Sequence, residues 1–181
     1  MKSYLLMIAL PLLLVYPACS PDKTQLRHVR VSYSNGSLFC EGYHQVSSKS
    51  KDSVRVGLWR FYYPDSTLEW QLEYDEHGEL VSRNDYSDSG TLIYSGTTKD
   101  NLSLVTEFFD NGKLKSETVT ETTKEDEAEV ETSHIKDYYQ TGGVRQESTT
   151  IDGELEGVKK AWDRKGNLVL QVNYRRGLIQ N

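Results

Sequence analysis

One short element recurs seven times along this chain and limits what it can fold into. An aromatic residue, two or three polar residues, a glycine, any residue and then Leu or Val appear as Tyr33 to Leu38, Tyr74 to Leu80, Tyr86 to Leu92, Phe109 to Leu114, Tyr139 to Val144 and Trp162 to Leu168. Tyr63 to Leu68 is a seventh copy in which Ser66 stands for the glycine. Asn, Asp and Ser start tight turns by bonding their own backbone, and Gly supplies a positive φ without steric cost. Each copy therefore marks a hairpin tip, and repetition of this kind governs the reading of the whole chain.

Between tips the side chains alternate. Trp59-Arg-Phe61-Tyr-Tyr63, Leu68-Glu-Trp70-Gln-Leu72-Glu-Tyr74 and Leu168-Val-Leu170-Gln-Val172-Asn-Tyr174 have the two-residue period of half-buried strands. The anchor positions 36, 66, 78, 90, 112, 142 and 166 lie 30, 12, 12, 22, 30 and 24 residues apart, near one or two units of a strand plus its turn. Further turns are expected at Ser47 to Ser53, Lys99 to Asn101, Lys124 to Glu127 and Asp152 to Gly157. Links this short favour antiparallel neighbours. The expected fold is all-β, an antiparallel hairpin meander forming an elongated single-layer sheet. Residues 117–133 lack a repeat glycine; their Thr and Val alternation is compatible with one long polar hairpin, and a partly disordered acidic loop fits them nearly as well.

The opening of the chain has a different character. Lys2 is followed by the uncharged run Tyr4 to Tyr16, ending at Pro17-Ala18-Cys19-Ser20. Crossing a bilayer takes about 20 apolar residues, so this shorter run reads as a signal-peptide core. Ala18 before Cys19 resembles a lipobox, although Tyr16 and Pro17 depart from the usual Leu and small residue. The resemblance implies a lipid-anchored exported protein with Cys19 as its modified N-terminus. The expected divisions are a leader over 1–18, a tether over 19–28 and a repeat domain over 29–181. Cys40, the second of two cysteines, fits a small buried hydrophobe better than a reactive thiol, a Cys19–Cys40 disulfide being the competing reading.

Charge narrows the partners. Ser20 to Glu156 holds 14 basic and 26 acidic residues, while the tail from Gly157 holds six basic residues and one acid. An acidic body argues against nucleic acid, because phosphate neutralisation supplies most of that affinity. Lys159, Lys160, Arg164, Lys165, Arg175 and Arg176 form the basic set, candidates for contact with an anionic lipid or polysaccharide surface.

Signs of catalysis are sparse. His28, His44, His77 and His134 are far apart in sequence, and the chain has no His-Glu-x-x-His, no Gly-x-Ser-x-Gly elbow and no Walker-type phosphate loop. The expectation is a protein that binds without catalysing, with no cofactor and no metal. The aromatics Trp59, Phe61, Tyr63, Trp70, Tyr74, Trp162 and Tyr174 are the candidate binding residues. Their bland alternative is the hydrophobic stripe of a thin sheet.

The stretch Asp152-Gly-Glu-Leu-Glu-Gly157-Val-Lys-Lys-Ala-Trp162-Asp-Arg-Lys-Gly166, continuing to Gly177, resembles a MORN-repeat variant, the membrane occupation and recognition nexus type. Gly57-Leu-Trp59-Arg-Phe-Tyr-Tyr63 with Glu73-Tyr74-Asp-Glu-His-Gly78 resembles another copy. In bacteria such chains are grouped with the antitoxin-like YwqK family. The resemblance implies a β-meander that binds lipids or proteins. Joined to the leader, it points to a cell-envelope lipoprotein, at the outer membrane or surface, serving as a protein-binding or scaffold platform; glycan binding and antitoxin-like neutralisation of a partner are the alternatives.

Overall fold

The structure is a computed structural model that describes residues 24–48, 52–126 and 128–180. The leader and Cys19 lie outside the described residues. Thirteen strands follow one another in chain order across a single antiparallel sheet: β1 Thr24–Ser32, β2 Leu38–Ser47, β3 Ser53–Tyr62, β4 Leu68–Tyr74, β5 Leu80–Tyr86, β6 Leu92–Lys99, β7 Leu102–Phe108, β8 Leu114–Glu125, β9 Ala128–Tyr138, β10 Val144–Ile151, β11 Glu154–Trp162, β12 Leu168–Arg175 and β13 Leu178–Gln180. This is the meander that the tips and their spacing require. One boundary differs: β1 begins at Thr24 and pairs Thr24 with Ser47 and His28 with Tyr43. Residues 24–28, expected in the tether, belong to the sheet, paired residue by residue with Tyr43 to Ser47 of β2.

Connections alternate between two rims of the sheet. Six of the seven repeat tips fall on one, the upper rim, and the tip at Asp75 to Glu79 falls on the lower, since steps of 12 residues span one strand each. Every tip closes in the same way. In the first, the Tyr33 carbonyl accepts from Gly36 N at 3.0 Å and Tyr33 N donates to the Ser37 carbonyl at 2.8 Å, a tight turn closed by a residue in the left-handed region. Asn35, Asp65 and Asn111 accept the backbone N–H two residues on, while Asp75 and Asp163 accept two such groups each. Those bonds hold the Asp65 and Asp75 carboxyls below the usual carboxylate range, and at Asp163 the Asn167 side-chain amide, donating to Oδ2 at 2.9 Å, leads the same lowering with the backbone bonds behind it.

Ser66 occupies the glycine position with φ of 74°. A side chain there strains against its own backbone, whereas glycine does not. Ser66→Gly is therefore expected to stabilise the protein by about 0.5–1 kcal/mol, part of the relieved strain being offset by the freer unfolded chain. The urea midpoint should rise with an unchanged slope.

Residues 117–133 form the polar hairpin. β8 and β9 pair without interruption from Ser116 with Asp137 to Glu125 with Ala128, and Thr120 and Ser133 exchange a hydroxyl hydrogen bond at 2.8 Å. Cross-strand hydroxyl pairs and threonine's β preference hold this segment without a glycine tip.

The core is local. Cys40, Trp59 and Phe61 form the buried cluster, with Val29, Phe39, Leu72 and Tyr74 packed against it. Burial pushes the Cys40 thiol pKa up. The Trp59 ring lies across Gly42, where an added Cβ would sit 2.3 Å from the indole, and its Nε1 donates to the Tyr43 carbonyl at 3.1 Å. Arg55 caps the cluster, its guanidinium 4.9 Å from the Trp59 ring centre, while donating to the Tyr74 hydroxyl at 3.1 Å.

The same local geometry returns 100 residues later without this core. Gly57 pairs with Tyr74, Trp59 with Leu72 and Phe61 with Trp70; Gly157 pairs with Tyr174, Lys159 with Val172 and Ala161 with Leu170. Both glycines have positive φ, 64° and 72°, and both open a bulge that sets three residues against one on the preceding strand. Lys and Ala cannot cover what Trp and Phe cover. Leu168 and Leu170 accordingly stay exposed.

Candidate functional site

Strand register sorts the side chains onto two faces. The front face carries Trp59, Phe61, Trp70 and Leu72. On the back face one polar row crosses twelve strands, pair by pair: Arg30, Glu41 and Arg60 at one end, Gln71, Asn84, Ser95 and Thr106 in the middle, then Glu117, Lys136, Glu147, Lys160 and Gln171. Its charged stretches alternate in sign. Arg30 meets Glu41 at 3.7 Å and Lys160 meets Glu147 at 3.4 Å. Opposite charges directly across strands support pairing, and alternation along the row supplies them at each step.

Tyrosines from the strand ends serve this row. The hydroxyls of Tyr62, Tyr86 and Tyr138 donate to Glu41, Gln71 and Glu117. Desolvation and the Glu117 carboxylate push the Tyr138 phenol up to about 12. A second set stitches the upper rim: the hydroxyls of Tyr33, Tyr63 and Tyr139 donate to the carbonyls of Tyr62, Tyr86 and Trp162. Phe109 occupies the corresponding tip position without a hydroxyl.

Next to the polar row on the back face lies a concavity of about 370 Å³, between β7 and β11. Glu117, Lys136 and Glu147 of the polar row line it, and the neighbouring row, Leu104, Val119, His134 and Thr149 paired strand to strand, runs beside them, with Val158 at the β11 end. His134 Nδ1 and Thr149 Oγ1 are 3.0 Å apart. Among the described residues there is no group of three His, Cys, Asp or Glu arranged to hold a metal ion, and no helix long and apolar enough to cross a membrane.

The candidate aromatics separate into different environments. Trp59 and Phe61, 2% and 7% exposed, are core; as binding residues they are corrected, since no partner reaches them. Tyr63 and Tyr74 are tied to the Tyr86 carbonyl and to Arg55. Trp70 is partly open on the front face, 5.7 Å from the Phe61 ring. Trp162 pairs with Leu168, and Tyr174 lies between Gly157 and Ile179; both belong to the C-terminal hairpins.

The six basic candidates do not form one patch. Lys159 lies on the front face and Lys160 on the back, Arg164 and Lys165 are on the upper rim, and Arg175 and Arg176 are at the lower rim. Lys160 is also held by Glu147. What sequence reasoning missed is the group Glu117, Lys136, Glu147, His134 and Thr149, which three strands, β8, β9 and β10, bring together. Only the cross-strand register could have found it.

The fold and its faces define the class: an open antiparallel repeat sheet with two solvent-facing surfaces. Residues 104–120 match the family described as MORN repeat variant; they comprise all but two residues of β7, the Phe109 tip and the start of β8. No curated protein sequence matches the chain. Among solved structures the chain is similar to a protein with unknown function from Bacteroides fragilis NCTC 9343, 10% identical over 85% of this chain and 95% of that one, with a TM-score of 0.20.

Proposed function

We propose that this chain is a non-enzymatic binding platform of the cell envelope, held there through Cys19, which takes up a partner protein at the C-terminal edge of the sheet. One observation carries the docking site. β13 pairs only with Asn173 to Arg175, so the outer backbone edge of Leu168 to Val172 has no strand beside it among the described residues. An open edge with free N–H and C=O groups is a template for an added strand. Its side chains suit that use: Val169 is 63% and Leu168 50% exposed, an apolar surface of the kind that marks association sites.

Charge states what kind of strand fits. Arg164 and Lys165 flank this segment at the upper rim, Arg175 and Arg176 at the lower, and Leu168 to Val172 carries no charge. A second copy of the same edge would bring like charges together at both ends. The matching occupant is an extended partner segment with alternating apolar residues and acidic residues at its two ends.

Fluorescence anisotropy with a synthetic peptide of alternating valine and threonine capped by glutamates tests this. Binding should weaken at least about tenfold in the R175E/R176E variant and fall with added salt, since charge pairs at a rim act over a Debye length. Equal binding of a lysine-capped peptide would remove the proposal. The anchor has its own measurement: Cys19→Ala should abolish fatty-acid labelling and release the protein from membranes, and persistent labelling would refute it.

A further inference from the structure

The back-face concavity differs in chemistry from the open edge and lies apart from the peptide-docking strand. We infer that it is a binding site for a neutral oligosaccharide. Three observations lead there. The first is size: about 370 Å³ lies within the range of small-ligand sites and is room for one or two sugar rings.

The second is the order of charges. Glu117, Lys136 and Glu147 stand on three adjacent strands in register. Glu117 accepts from the Tyr138 hydroxyl and Glu147 from Lys160. Lys136 makes no ion pair among the described residues, although a carboxylate lies on each side of it. Adjacent strands are about 4.8 Å apart. One hydroxyl accepting from an ammonium and donating to a carboxylate, each at about 2.8 Å, bridges such a gap with a bent path. Lys136 therefore offers two such places, as neighbouring hydroxyls of a sugar ring require. A cation would be repelled by Lys136 and an anion by the two carboxylates. A neutral polyol meets neither penalty.

The third is the floor. Leu104, 42% exposed, pairs with Val119 across β7 and β8, and the two present an apolar surface beside Glu117 in the polar row, while Val158, 46% exposed, lies at the far end on β11. A pyranose has hydroxyls around its edge and C–H groups on its faces, so one ring covers Leu104 and Val119 with its edge toward Glu117 and Lys136, and a second ring, one or two strands on, reaches Glu147 and the Thr149 hydroxyl. A peptide strand would not use the site this way, because its backbone groups lack the paired hydroxyl geometry.

The test is a titration of the full chain, followed by backbone amide NMR, with four probes: the tetrasaccharides of β-1,4-linked glucose, β-1,3-linked glucose, α-1,4-linked glucose and β-1,4-linked N-acetylglucosamine. At least one should shift the amides of Val119, Lys136 and Thr149 at millimolar concentration. Lys136→Met and Glu147→Gln should each weaken that binding about tenfold, the loss of one charge-assisted hydrogen bond, while the spectrum elsewhere is retained. No shift from any of the four sugars would overturn the inference, as would shifts confined to the front face or binding unchanged in both variants. The R175E/R176E variant should bind the sugar normally, so failure of the edge and failure of this site are separable.

Discussion

Trp59→Ala is expected to cost about 3–5 kcal/mol, in the range of large-to-small changes at buried aromatic positions. The ring is 2% exposed, and three independent contacts vanish with it: the cover over Gly42, the hydrogen bond from Nε1 to the Tyr43 carbonyl, and the Arg55 guanidinium stacked at 4.9 Å. The Tyr43 carbonyl also loses its side-chain donor. For a domain stable by about 5–15 kcal/mol this is a large share. Chemical denaturation followed by near-ultraviolet circular dichroism measures it. A loss below about 1 kcal/mol, the size of an ordinary surface change, would show that the cluster is not the core of the sheet.

Gly42→Ala is the second large effect, with the opposite geometry. The new Cβ would lie 2.3 Å from Trp59 Cδ2 and 2.5 Å from two further ring atoms, and the indole, packed on Cys40 and Phe61, has nowhere to retreat. Overpacking of this sort costs about 1–3 kcal/mol, and a rigid ring places the expectation at the upper end. The decisive measurement is the double variant. With Trp59 already alanine the methyl at position 42 meets no ring, so the two costs should fall short of additivity by at least about 1 kcal/mol. Additive losses would mean that the alanine acts through the strand backbone instead.

These two residues also show how far the sequence could be read. The glycine of each tip follows from its polar neighbours, and alternation from Leu68 to Tyr74 displays a strand directly, so a meander was legible. Gly42 was not. It sits in an ordinary strand position, and its purpose appears only when β3 is laid beside β2 and Trp59 falls across it. The same limit explains the aromatics. Trp59 and Trp162 both occur in Gly-x-x-containing repeat copies, yet they are not equivalent: Trp162 pairs with Leu168 as Tyr62 pairs with Leu68, and the position of Trp59 is taken in the second copy by Lys159. The row through Glu117, Lys136 and Glu147 was equally hidden, since each residue is unremarkable within its own strand. Alternation assigns a residue to a face, but register across bulges decides its neighbours on that face.

The confinement of the core to β1–β4 carries a consequence for the rest of the sheet. In a linear array each strand is secured only by the strands on its two sides, so resistance to opening is inherited along the array from wherever it is greatest. Here it is greatest near one end, around Trp59, and diminishes toward Gln180. Local opening thus has a direction, with amides of β12 and β13 exchanging with solvent well before those of β3. The distal strands behave like the loose end of a zipper whose slider is fixed at the other, free to part and re-close while the proximal strands keep the chain folded.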